Sequence, residues 1–220
     1  MRKTFPTLGL ILLPPALFIP VGMAFGIALR GAPSASTVPW ILLVTEVLLA
    51  VLAAVWLRRF RYSVSDIGFG PVQPRLLLLG FVVGISVACA FEFAVAPTID
   101  WFRRVVGDVI PTAETRRALG SARVPFAVAN IALAPVIEEL TYRGILERRI
   151  SSTWSKRASF FWGALAFGLL HWAGGISFVI GTGGLGAMLL YLRRRTGSLW
   201  PAILAHFAFN TLEVALSLAR

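Results

Sequence analysis

Residues 125–146 read PFAVANIALAPVIEELTYRGIL. The stretch is apolar and long enough to cross a bilayer, yet its second half carries Glu138, Glu139 and Arg143. About 20 helical residues span the hydrocarbon core. Each ionised side chain near the centre of such a helix costs roughly 2.5–3.5 kcal/mol by insertion scales. Three of them offset much of what the apolar residues gain. Ionisable groups kept at that depth face a bundle interior and mark a functional site. The only two histidines, His171 and His206, also lie within apolar segments.

The rest of the chain repeats the apolar pattern. Of 220 residues, 57% are hydrophobic and 14% charged, with a mean hydropathy of +0.80. Soluble domains carry about 25% charged residues, so the composition specifies an integral membrane protein. The expected fold class is all-α: a polytopic transmembrane helical bundle of about seven to eight spans. It forms one integral-membrane domain over residues 1–220, with the motif-bearing core at about 125–218. The net charge of +11 does not indicate nucleic acid, because the basic residues cluster at segment ends as membrane topology requires. The single cysteine, Cys89, sits in an apolar run, which excludes a disulfide framework.

Seven spans are expected: 7–29, 39–57, 76–96, 125–146, 158–172, 176–192 and 198–218. Pro14, Pro15 and Pro20 should kink the first, which reads as an uncleaved helix because its apolar part is too long and proline-broken for a signal peptide. The polar stretch 97–124 is expected as an interfacial helix and loop, with a re-entrant or eighth spanning segment as the alternatives. Arg58, Arg59, Arg61, Arg75, Arg148, Arg149, Lys156, Arg157 and Arg193–Arg195 fall on one side of a seven-span topology, along with Arg2 and Lys3. The positive-inside rule then puts the N-terminus in the cytoplasm. Arg103, Arg104, Arg116, Arg117 and Arg123 run against this assignment. The preponderance of arginine over lysine suggests a GC-rich bacterial genome, and with it the expected location is a bacterial cytoplasmic membrane.

Helical spacing limits which polar groups can meet. Glu139 and Arg143 are four apart and can pair on one helix face, while Glu138 lies about 100° around. Phe167 and His171 share a face of the fifth span, and His206 and Asn210 share a face of the last. At 1.5 Å per residue, Glu138 and His206 both lie roughly 12 Å from the basic end, and His171 nearer 20 Å. A carboxylate stripped of water suits a general base, so Glu138 with His171 could activate a water. His206 and Asn210 could donate to a developing oxyanion, and Arg143 would neutralise Glu139. No serine or cysteine forms a triad with a histidine.

In this order along the chain, Glu138-Glu139-x-x-x-Arg143, Phe167-x-x-x-His171 and His206-x-x-x-Asn210 resemble the motifs of the CPBP intramembrane proteases. That family includes type II CAAX prenyl endopeptidases and bacterial relatives linked to bacteriocin processing or immunity. The resemblance covers about 135–210. It implies that Glu138 and His171 activate water, that His206 and Asn210 form the oxyanion site, and that Glu139 and Arg143 support them. The implied partners are membrane lipid and a membrane-associated peptide or protein substrate.

No cofactor is expected. The competing reading is zinc held by Glu138, His171 and His206, an open His₂Glu set that would remove His206 from the oxyanion role. Two non-protease readings compete as well: a non-catalytic immunity or assembly partner, and a small proton-coupled transporter whose broken helices the glycines of the sixth span could supply. Of the other acids in apolar segments (Glu46, Glu92 and Glu213), Glu92 is the one expected to support the site. Gly181–Gly186 matches G-x-G-x-x-G but follows no strand, so it is expected to permit close helix packing or to break the sixth span rather than bind a dinucleotide. Ala164 and Gly168 are expected to pack closely beside His171, Phe167 to be a packing residue, and Arg193–Arg195 to anchor the topology.

Overall fold

In lipid every backbone polar group must find its partner within the protein, and a helix does this within one segment. The computed structural model of the protein describes residues 4–29, 35–106 and 123–219. Seven helices organise them: α1 (Leu8–Ala28), α2 (Val38–Phe60), α3 (Pro74–Thr98), α4 (Arg123–Ser151), α5 (Lys156–Leu170), α6 (Ile176–Thr196) and α7 (Trp200–Ala219). No strand occurs among the described residues. By length and apolarity α1, α2, α3, α4 and α6 can cross a membrane. The 15 residues of α5 fall short of the usual span.

Prolines shape the first helix as expected. Pro14 and Pro15 lie inside it, and the helix turns at Leu17, whose N–H reaches back to the Pro14 carbonyl at 3.1 Å. The stretch after residue 96 begins with a helix, as expected, but one continuous with α3. Helical backbone runs on from α3 to Val106, because a π-helical turn over Phe91–Val95 accommodates Pro97. The continuous rod is ~50 Å long at 1.5 Å per residue, longer than the hydrocarbon core. Residues 107–122 lie outside the described residues, and with them the rest of the expected loop, re-entrant or spanning segment.

Small residues set the closest helix contacts. A Cβ on Gly80 would overlap the Pro201 backbone, and one on Gly84 would overlap that of Ala205. This stripe, continued by the buried Ala88, lets α3 lie directly against α7. Gly168 of α5 approaches the Val179 carbonyl and Gly183 of α6 in the same way. The glycines of α6 are therefore packing positions within a helix that is continuous from Ile176 to Thr196. They do not break it, so the broken segment expected of a transporter is absent there.

The C-terminal ends of α2, α4 and α6 and the starts of α3, α5 and α7 meet at one end of the bundle. Arg148 bonds to Asp66 at 2.9 Å, and the Leu199 N–H donates to the Gly68 carbonyl at 2.8 Å. Arg194 Nε donates to Glu147 at 2.8 Å and Arg194 Nη1 to the Lys156 carbonyl at 2.9 Å. The basic clusters of three separate connections thus form one surface. Within it, Arg194 ties three helices together, a role beyond topology anchoring.

Candidate active site

The site begins with a distortion in α4. Pro135 has no N–H and its ring would collide with the carbonyl four residues back. The helix relieves this by widening to a π-helical turn over Val128–Leu133, where the Ala134 N–H reaches back five residues to Ala129. One ordinary α-helical stretch follows, Ala134–Glu139, and then a second π-helical turn over Leu140–Leu146. Such turns inside α-helices recur at functional sites. Here they bracket Glu138 and Glu139. The Asn130 carbonyl, which Pro135 cannot serve, accepts from Asn210 Nδ2 of α7 at 2.7 Å.

Glu139 is fully buried and serves two partners with one oxygen. Arg143 Nη1 donates to its Oε1 at 2.9 Å, and His206 Nδ1 lies 3.0 Å from the same atom. Because a carboxylate can only accept, the His206 Nδ1 carries the proton and donates it. Arg143 reaches further: Nη2 donates to the Gly186 carbonyl of α6 at 3.0 Å, and the guanidinium lies 4.0 Å from the centre of the Phe167 ring of α5. One arginine therefore joins α4, α5 and α6, and its fork geometry suits that task better than a lysine would.

Phe167 is the hub of the aromatic packing. It is fully buried, with its ring 5.2 Å from that of His171 and 5.8 Å from that of His206. Tyr142 meets its edge at 5.5 Å. A Cβ on Gly186 would press into Phe167, so the last glycine of the G-x-G-x-x-G run makes its seat. Phe167 also resolves the depth offset of His171, because it spans between the two histidines one turn before the end of α5. His171 follows that helix directly and donates Nδ1–H to the Phe167 carbonyl at 3.1 Å. Its Nε2 is left as an acceptor.

Glu138 has a different environment. It is buried, its Oε2 lies 3.9 Å from His206 Nε2, and that oxygen has no hydrogen-bond partner. Its carboxyl meets that of Glu46 on α2, which is also buried. The two carboxyl groups could share a hydrogen bond only with a proton on one of them. The acid beside Glu138 is thus Glu46, where the sequence pointed to Glu92. The available signal was an acid at the middle of an apolar span, but spacing within α2 does not say which neighbouring helix it faces.

The structure gathers Glu138, Glu139, Arg143 and His206 at one place and links His171 to them through Phe167. Asn210 sits one turn from His206 and is held by Asn130. Chemically this is a buried carboxylate with a free oxygen, beside an imidazole whose other nitrogen is anchored. Among the described residues no three of His, Cys, Asp and Glu converge as a group able to hold a metal ion.

No curated protein and no solved structure matches the chain. The family model described as type II CAAX prenyl endopeptidase Rce1-like matches residues 120–212. These are the residues from the start of α4 to beyond Asn210, which hold every group of the site except Glu46. Over that stretch, somewhat less than half of its length, the chain is similar to the type II CAAX prenyl endopeptidases.

Proposed function

We propose that the protein is an intramembrane endopeptidase in which Glu138 and His171 activate a water for attack on a peptide carbonyl. The reading is carried by the geometry at α4: Glu139 holds Arg143 and His206 through Oε1, while the adjacent Glu138 is paired with no arginine among the described residues and turns a buried, unpartnered Oε2 toward His206 Nε2 at 3.9 Å. In the reaction the water oxygen bonds to the carbonyl carbon as its proton passes to Glu138, with His171 Nε2 accepting from the same water. His206, oriented by Glu139 and acting in its doubly protonated form, presents Nε2–H to the developing oxyanion, and the second amide proton of Asn210 completes the donor pair. Glu138 then returns the proton to the amine nitrogen as the C–N bond breaks. Glu46 acts as a positioning residue that fixes the Glu138 carboxyl. No metal takes part in this reading.

The basic end of the bundle lies in the cytoplasm by the positive-inside rule, and the protein resides in a bacterial cytoplasmic membrane. The substrate is a membrane-associated peptide: a prenylated or otherwise lipidated chain, a bacteriocin leader or a C-terminal sorting helix. Mapping the C-termini of membrane proteins by mass spectrometry, in cells carrying wild type or Glu138→Gln, tests the reading and finds the substrate together. New termini should occur only with wild type. Identical termini at equal expression would favour a non-catalytic immunity or assembly partner.

A further inference from the structure

A cavity of about 570 Å³ opens at the basic end of the bundle, lined by four arginines (Arg143, Arg148, Arg149 and Arg193) with Tyr62 and Asp66. Two of these charges are already matched. Arg143 is held by Glu139 on its inner side, and Arg148 by Asp66 Oδ1 at 2.9 Å. The other oxygen of Asp66 accepts from the Ser63 hydroxyl at 2.6 Å and the Ser63 N–H at 2.9 Å. These bonds, with Arg148 nearby, hold the Asp66 carboxyl below the usual carboxylate range, so it stays ionised and has no oxygen to spare.

Arg149 and Arg193 are different. Among the described residues neither has a carboxylate within ion-pair distance. Arg149 lies over the Phe60 ring at 5.5 Å, which keeps its charge. Arg193 Nε is buried and has no hydrogen-bond partner. Its guanidinium rests on Gly68, whose φ of +96° and missing Cβ leave that space open. A side chain at this position would both strain the backbone and displace the arginine. The turn between α2 and α3 is therefore shaped to hold an unmatched cation against an open cavity.

We propose that this cavity binds a phosphate group, presented by an anionic phospholipid headgroup of the surrounding leaflet. Guanidinium forks match phosphate oxygens in geometry as well as charge. The cavity lies where the helices end, at headgroup level, and basic pockets between spans on that side recognise such headgroups. Its volume exceeds that of one phosphate and accommodates a headgroup. Free phosphate has the same binding chemistry. The inference is independent of the peptidase reading.

Native mass spectrometry of the full-length protein with phosphatidic acid or phosphatidylcholine tests it. Wild type should retain phosphatidic acid at least tenfold over phosphatidylcholine. The double variant Arg149→Gln/Arg193→Gln should bring that ratio to about one. Arg58→Gln/Arg59→Gln, which removes the same charge from the exposed end of α2, should leave it unchanged. Ser152→Glu adds a carboxylate to the rim without touching any arginine, and should also abolish the preference if the double variant folds poorly. Displacement of the lipid by millimolar inorganic phosphate would assign the pocket to the free anion, and persistence would assign it to the headgroup. Equal binding by wild type and the pocket variants, or equal loss in both double variants, would overturn the proposal.

Discussion

Two carboxylate–guanidinium pairs sit two turns apart on α4, and they are built for different ends. Glu147 gathers Arg194 and the Ser151 hydroxyl on one oxygen, and Arg194 goes on to Ser159 and the Lys156 carbonyl. Every link joins helix ends near water. Glu139 instead pairs with Arg143 of its own helix, and its third contact is a histidine whose other nitrogen faces an unpartnered carboxylate oxygen. The first network fastens α4, α5 and α6, and leaves Glu147 Oε2 without a partner. The second leaves open a carboxylate oxygen and an imidazole nitrogen, buried where an unmade hydrogen bond is costly. Both networks keep a buried carboxylate oxygen without a partner, so the difference lies in what stands beside it: a histidine and a second carboxylate, Glu138, in the one, and scaffold arginine and serine in the other.

Substitutions can break that distinction. Glu139→Gln should have the largest combined effect, because it leaves Arg143 buried without its counter-charge. Loss of one partner of a buried pair costs about 3–5 kcal/mol, so the melting temperature in nanodiscs should fall together with turnover, and Glu139→Asp should restore part of both. His206→Ala should lower kcat by ~10²–10³, the usual worth of an oxyanion donor, with a far smaller change in melting temperature. Arg194→Gln should show the reverse pattern. Its pair is partly solvent-exposed, with the arginine side chain 28% accessible, so the cost is discounted to about 1–3 kcal/mol. Turnover per folded molecule should be unchanged, and a fall matching that of His206→Ala would dissolve the distinction between the two networks. Glu46→Gln sharpens it most finely. The amide can still hydrogen-bond to Glu138, so stability should hold, while kcat should drop roughly tenfold, about the worth of one hydrogen bond to a charged group, with KM unchanged.

Much of this was legible in the sequence because it depended on local spacing. The apolar lengths placed all seven helices, and the i,i+4 rule paired Glu139 with Arg143. The small residues of the sixth span were readable as packing positions, and the structure puts Gly183 and Gly186 against α5. What could not be read depended on the angular setting of whole helices. Spacing within α7 put His206 and Asn210 on one face but did not show His206 bonding to Glu139, or Asn210 taking the carbonyl that Pro135 strands on α4. Glu46 was visible as an acid in an apolar span, and its contact with Glu138 follows only once α2 is seated on α4. The Gly80–Gly84 stripe was present in the third span, but what it packs against is fixed by the backbone of α7. A helix after residue 96 was legible, but its continuity with α3 was not, because Pro97 reads as a break and the π-helical turn over Phe91–Val95 that accommodates it leaves no spacing signal.

The central claim is that Glu138, and not its buried neighbour Glu139, is the base. It is tested most directly by the turnover of purified Glu138→Gln in nanodiscs on the substrate that terminus mapping identifies, with a zinc chelator present and the melting temperature read from the same samples. The account predicts a fall in kcat of about 10³-fold or more, toward the upper range of general-base effects, at an unchanged melting temperature, with wild type unaffected by the chelator. Turnover by Glu138→Gln within tenfold of wild type, or wild-type activity abolished by the chelator and restored by zinc, would contradict it.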